Sequence, residues 1–105
     1  LTGKYLDGAL PDGSRKSINS GMGGRLGPRI EGAVEAYLEI AQRHGLDPVH
    51  MALSFCASRP FMTSVIFGAR TSEQLDHILT GLDVALSDEV LDEITAAQKA
   101  HPMPY

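Results

Sequence analysis

The sequence predicts an α/β fold in which four helices accompany one short parallel strand. Two observations predict this class. Four stretches carry apolar residues at helical spacing, and each has a start or stop signal at its ends. A fifth stretch, residues 63–67, is short, rich in β-forming residues and bounded by Pro60 and Gly68. The expected order is therefore loop, helix, helix, strand, helix, helix.

The composition describes one small unit. The chain has 105 residues, a formal net charge of -4 and 43% apolar residues, which suffices for one modest core. Without a run of Lys or Arg, nucleic acid and anionic membranes are poor candidates as partners, and no apolar stretch approaches the roughly 20 residues of a membrane span. Cys56 has no partner for an intrachain disulfide, which fits a reducing, cytoplasmic setting. Since the chain opens with Leu1 and Thr2, we interpret it as a cut through a longer protein, with a mature N-terminus as the alternative.

The first quarter of the chain predicts a long loop. Residues 8–27 contain six glycines and few apolar residues, which show no period. Loops of this length without structure of their own are usually functional or disordered. We expect this segment to be mobile.

Two helices should follow. The first ends at Gly45, where a left-handed C-terminal cap is favoured, and the second opens with Asp47 as N-cap and Pro48 in its first turn. Pro60 stops the second helix. The predicted buried faces are Ile30, Val34, Tyr37, Leu38 and Ala41 on the first helix, and Met51, Ala52, Phe55 and Cys56 on the second.

Both faces of the strand at 63–67 are largely apolar, as in a parallel sheet covered on both sides. Thr71 can cap the third helix, with Gln74 at the capping-box position, and Ser87 can start the fourth. A lone parallel strand exposes backbone donors and acceptors along both edges, so it requires the rest of a barrel, a partner chain or a rearranged fold. The predicted buried faces are Leu75, Ile78, Leu79 and Leu82, then Val90, Leu91 and Ile94.

Five segments in order resemble aldo-keto reductases, in the branch with bacterial oxidoreductases and potassium-channel β subunits. They are LTGKY at 1–5, SR at 14–15, DPxxMALSF at 47–55, VIFGARTSEQL at 65–75 and LSDE at 86–89. The resemblance implies the C-terminal part of a TIM (β/α)8 barrel, mostly helical with one short strand. It divides the chain into a cofactor-covering loop (1–28), an extra helix (29–45), the last helix–strand–helix units (47–82) and a C-terminal helix (87–99).

The turn after the strand is the main candidate site. A helix N-terminus offers orphan amides to an anion, Gly68 lets the backbone approach a ligand, Arg70 adds a planar fork of donors, and Thr71 adds a hydroxyl. From the residues alone, an ordinary turn with a solvated arginine is the simpler explanation, because turns of the type strand–glycine–helix are common. The resemblance implies that this turn holds the 2′-phosphate of NADP(H).

The resemblance adds three further cofactor-binding candidates. Gln74 would contact the adenosine end, although it also suits a capping box bonded to the Thr71 backbone. Lys4 and Arg15 would reach over the cofactor near its phosphates, although each alone is an ordinary surface charge. The family usually has Glu-Asn at positions 77 and 78, where this chain has His77 and Ile78, and an isoleucine cannot hydrogen-bond adenine.

No catalytic residue is expected. The resemblance implies reduction of aldehydes or ketones by an Asp-Tyr-Lys-His set that lies upstream of Leu1, so the chain alone should show no turnover. Tyr5 and Tyr37 do not lie in a matching motif, and Tyr105 lies in a tail that we expect to be irregular. The four histidines lack metal-ligand spacing, so no metal site is expected. Two other interpretations remain: a non-catalytic binding or scaffold module on the same fold, and a truncated, partly unfolded remnant.

Overall fold

The computed structural model describes residues 2–24 and 27–103, and Leu1 and Tyr105 lie outside them. Five α-helices are present in these ranges, and no strand is assigned there. None of the described helices is long and apolar enough to cross a membrane. The helices are α1 (Arg15–Ile18), α2 (Pro28–Arg43), α3 (Pro48–Ala57), α4 (Ser72–Leu79) and α5 (Asp88–Ala100), with 3₁₀ turns at Leu6–Gly8 and Met22–Gly24.

Helix α2 ends as its sequence predicts. His44 is the C-cap and Gly45 adopts a left-handed φ of 61°, which glycine takes without steric cost. The Gly45 amide donates to the Gln42 carbonyl at 3.2 Å, and the Leu46 amide donates to the Ala41 carbonyl at 2.8 Å. These two bonds make a Schellman motif, which turns the chain directly into α3.

The predicted N-caps of the three later helices are confirmed. Asp47 accepts from the amides of Val49 and His50 at 2.8 and 3.1 Å, so its carboxylate satisfies two of the orphan donors of α3. Thr71 accepts from the Gln74 amide at 3.2 Å, and Ser87 accepts from the Val90 amide at 3.3 Å. These caps fix where α4 and α5 begin.

The core lies where α2, α3 and α5 meet. Met51, 1% exposed, fills its centre, and the predicted inward positions Val90 and Ile94 of α5 are buried beside it. The predicted face of α2 was incomplete, because Ala33 and Ile40 are buried there while Ile30 is only half-buried. An ion-pair cluster, in which Glu93 accepts from Arg43 and His44, joins the end of α2 to α5 outside this core.

Two predictions around the strand are wrong for this chain. Residues 63–67 are irregular chain without a ladder, since residues 2–24 and 27–103 contain no second strand to complete their hydrogen bonds. The apolar stripe of α4 is buried only at Ile78, which is 7% exposed; Leu75, Leu79 and Leu82 are exposed. The apolar residues of segment 63–67 and of α4 would need neighbouring barrel elements to cover them. Ile66 is 94% exposed for this reason.

The prediction of a structureless loop over residues 8–27 is also wrong in part. Helix α1 interrupts it, started by Ser14, whose hydroxyl oxygen accepts from the Ser17 amide at 3.4 Å. The hydroxyl of Tyr5 accepts from the Lys16 amide at 3.2 Å. This bond ties α1 to the N-terminal segment and holds the intervening residues on one side of the candidate site.

Candidate functional site

All six residues predicted to bind the cofactor line one open cleft of about 640 Å³. The cleft lies between the N-terminal segment, the loop at residues 11–15 and the turn that precedes α4. These segments are far apart in sequence, so the fold is what brings them together. The six are Lys4, Arg15, Gly68, Arg70, Thr71 and Gln74.

The turn before α4 is held by two reciprocal hydrogen bonds. Thr71 accepts from the Gln74 amide, and the side-chain oxygen of Gln74 accepts from the Arg70 amide at 2.8 Å. The predicted bond from Gln74 to the Thr71 backbone is therefore wrong by one residue. The arrangement does the work of a capping box, and it leaves the NH₂ half of the Gln74 amide as the half that can donate to a ligand.

Arg70 reaches from this turn across to the opposite wall. A methyl group built on Gly13 would come within 2.9 Å of the Arg70 Nη1, and Gly13 also has a left-handed φ of 65°. A glycine at position 13 therefore lets the guanidinium lie against the loop backbone. Sequence inspection did not identify Gly13, because its role depends on a contact between segments distant in the chain.

The cleft carries a positive balance of charge. Its lining includes the cations Lys4, Arg15 and Arg70 and one carboxylate, Asp12. Burial raises the pKa of the nearby Tyr5 phenol. Hydrogen bonds from Lys16 and Ser14, together with the charge of Lys4, lower that pKa by more than burial raises it, so the net shift is downward. The Lys4 ammonium lies 5.2 Å from the centroid of the same ring. Such a site favours an anionic ligand.

A second cavity of about 640 Å³ continues from the first and shares Lys4, Gly68 and Gln74 with it. The two departures from the family pattern, His77 and Ile78, line this second cavity. Ile78 is almost fully buried, as its place in an apolar stripe predicts. The two cavities together therefore offer a charged end and a more apolar end.

His77 is tied to α3 by contacts that the sequence did not reveal. Its Nε2 lies 3.1 Å from the Asp47 Oδ2, and its ring stacks on that of His50 with centroids 4.8 Å apart. The expectation of no metal site rested on the distance between histidines along the sequence. The fold nevertheless places one ligand atom each of Asp47, His50 and His77 within 4.8 Å of one another. Sequence spacing was therefore a poor guide to this cluster.

Comparison with known proteins shows the family. The aldo/keto reductase family model matches residues 1–99, and the chain belongs to that family. The protein tas of Escherichia coli (strain K12) is 44% identical over 104 residues, which cover 99% of this chain and 30% of the relative. A probable voltage-gated potassium channel subunit beta of Oryza sativa subsp. japonica is 32% identical over 107 residues, covering 97% of this chain and 33% of that protein. An L-glyceraldehyde 3-phosphate reductase of Escherichia coli O157:H7 is 35% identical over 102 residues, which cover 90% of this chain and 29% of that protein.

This membership confirms the predicted fold class. The family fold is a TIM barrel, and the mostly helical chain corresponds to its C-terminal part. The chain spans about a third of the length of the curated relatives that it matches. The family comprises oxidoreductases that generally use NAD(P)H.

Proposed function

We propose that this chain supplies the adenosine and phosphate side of an NADP(H) site in an aldo/keto reductase that reduces aldehydes or ketones. It contributes no residue to the catalytic set. The observation that carries the proposal is the cleft in which three cations, a glycine turn and a capped helix N-terminus converge. A phosphate monoester carries about two negative charges and three acceptor oxygens, which this group of donors suits.

Five residues of the cleft contact the cofactor phosphates or make room for them in this proposal. Arg70 presents a planar pair of donors to the 2′-phosphate, and the Thr71 hydroxyl and the α4 amides complete its shell. Lys4 and Arg15 approach the phosphates from the opposite wall. Gly68 leaves room for the ligand against the backbone, because a built Cβ there meets nothing within 4 Å.

The reaction itself falls to the rest of the barrel. The nicotinamide group of the bound cofactor supplies the hydride. The residues of this chain bind and orient the opposite end of the cofactor, which fixes the position of the nicotinamide only when the whole barrel is present. A protein with this site and the upstream catalytic set acts on a small carbonyl substrate.

The exposed apolar surface of this chain supports the remaining barrel as its binding partner. Ile66, within the segment that the family fold pairs as a strand, is largely exposed, and so are Phe61 and Leu82. Contact with the preceding strands, or with another copy of this chain, would bury them.

The mildly acidic charge and the lone thiol fit a cytoplasmic protein without nucleic acid or membrane partners.

A second candidate function is a non-catalytic binding or scaffold module. It is favoured by the buried Ile78 at a position where the family contacts adenine, and by a relative named as a potassium channel subunit. In that case the cleft binds nucleotide as a structural or sensing ligand, and no carbonyl is reduced.

Turnover separates the two candidates. The complete protein is mixed with NADPH and a panel of small aldehydes and ketones, and the loss of the absorbance of the reduced nicotinamide of NADPH is followed. We expect carbonyl-dependent oxidation of NADPH by the complete protein and none by the 105-residue chain. Saturable NADPH binding by the complete protein without turnover on any carbonyl would contradict the reductase proposal and favour the scaffold. Turnover by the isolated chain would contradict the assignment of catalysis to the rest of the barrel.

A further inference from the structure

A second polar cluster lies where the first turn of α3 meets α4. It consists of Asp47, His50 and His77, from each of which one potential ligand atom lies within 4.8 Å of the other two. Asp47 and His50 come from the N-terminal turn of α3, and His77 comes from the second half of α4. The nucleotide proposal assigns no role to this cluster.

The ring of His50 is held in one orientation and one tautomer. Its Nε2 lies 2.6 Å from the carbonyl oxygen of His77, which can only accept, so Nε2 carries the proton. The lone pair is then on Nδ1. This is the arrangement of a metal-binding histidine, whose second ring nitrogen commonly donates to a backbone carbonyl.

Gly81 provides the space that this ring occupies. A Cβ built on Gly81 would collide with the His50 ring, so the ring lies directly against the backbone of Gly81. Any larger residue there would displace the imidazole. The position of His50 is thus determined from two sides, by a hydrogen bond and by a close contact.

Asp47 presents one oxygen to the cluster and uses the other elsewhere. Its Oδ1 accepts from the Val49 and His50 amides, which fixes the carboxylate plane. Its Oδ2 lies 3.1 Å from the Nε2 of His77. The carboxylate is therefore oriented by the helix cap, and a metal ion bound to Oδ2 and to the His77 Nε2 would replace the proton that this nitrogen now donates to Oδ2, which is released to water.

From this geometry we propose that Asp47, His50 and His77 form a binding site for a divalent transition-metal ion of the zinc type. Two imidazoles and a carboxylate are a ligand set suited to such ions, and three protein ligands leave a position for water. Zinc–nitrogen and zinc–oxygen bonds are about 2.0–2.2 Å long, which places the ligand atoms of a tetrahedral site about 3.4 Å apart. Ligand atoms up to 4.8 Å apart must therefore close by about 1.4 Å. The His77 side chain is 49% exposed, which leaves it room to adjust.

Another group of potential ligands among the described residues is a poorer candidate. His44, Glu89 and Glu93 also bring ligand atoms together, but Glu93 already accepts from the Arg43 guanidinium. A metal ion there would be repelled by Arg43 and would have to displace it.

The cavity beside Asp47 is lined by Lys4 and by Glu73, whose opposite charges offset one another.

The test is calorimetric titration of Zn²⁺ into the complete protein at neutral pH, repeated with Co²⁺ to observe the visible absorption of the bound ion. We expect one site that is weakened about tenfold or more by His77→Ala and by His50→Ala. Asp47→Asn should weaken it too while keeping α3 capped, since asparagine is an equally good N-cap. His101→Ala and His44→Ala, which lie outside the cluster, are the matched controls.

Two results would overturn the proposal. One is the absence of saturable Zn²⁺ binding by the wild-type protein, and the other is wild-type affinity in both His50→Ala and His77→Ala. Circular dichroism on each variant separates loss of the site from loss of the fold, and if the alanine variants unfold, Asp47→Asn decides. NADPH affinity of the wild-type protein, measured without metal, tests the nucleotide proposal separately, because that proposal assigns no role to a metal ion.

Discussion

Asp47 shows how much of this structure depends on a single side chain. Burial raises the pKa of its carboxyl group. Hydrogen bonds from the His50 and Val49 amides, together with the contact with His77, lower that pKa by more than burial raises it, so the net shift is downward. A carboxylate with a lowered pKa stabilises the folded state above its unfolded pKa of about 3.9 and loses that contribution as the pH falls through the folded value.

The corresponding prediction concerns acid unfolding. The free energy of unfolding should fall between about pH 4 and the acid limit, and it should fall less steeply in Asp47→Asn, whose amide does not titrate. Glu93, whose pKa is lowered by hydrogen bonds from Arg43 and His44, accounts for part of the slope that remains. Urea unfolding at a series of pH values measures both proteins. Superimposable pH profiles would contradict this role for Asp47.

At the scale of the elements, the helix boundaries could be predicted and the side-chain surroundings of α4 could not. The caps at Gly45, Asp47 and Thr71 could be predicted, because capping depends on residues within one turn of each other. Burial of Leu75 and Leu79 depends on neighbours from other elements, which local periodicity does not specify. The prediction of a strand at 63–67 is wrong for the same reason, because a strand forms only when its backbone pairs with a neighbouring strand.

A prediction at this scale concerns the three-helix core. Met51→Ala should destabilise the chain by about 2–5 kcal/mol, because it leaves a cavity among α2, α3 and α5. Met103 is 81% exposed, so Met103→Ala should change the free energy of unfolding by no more than about 0.5 kcal/mol. Denaturant unfolding followed by circular dichroism compares them. Equal losses in the two variants would show that the core is elsewhere.

At the scale of the whole molecule, the sequence predicted which residues form the cleft but not how they meet. The family resemblance named Lys4, Arg15 and the turn residues, and the fold places them around one space. The contact of Arg70 with Gly13 and the cap between Gln74 and Arg70 were not predictable, since each depends on side-chain conformation. The cluster of Asp47 with two histidines was missed because its members come from different helices.

The central claim is that the bend before α4 binds a phosphate group, and equilibrium titration of NADPH and NADH into the complete protein tests it most directly. We expect NADPH to bind more tightly than NADH. Loss of a charge-assisted hydrogen bond costs about 1.5–3 kcal/mol, so Arg70→Ala should weaken NADPH about 10- to 150-fold and leave the Kd for NADH nearly unchanged. Arg29→Ala, at an exposed arginine in the first turn of α2, is the control and should behave as wild type. An Arg70→Ala protein that keeps the full preference for the phosphorylated cofactor would contradict the account.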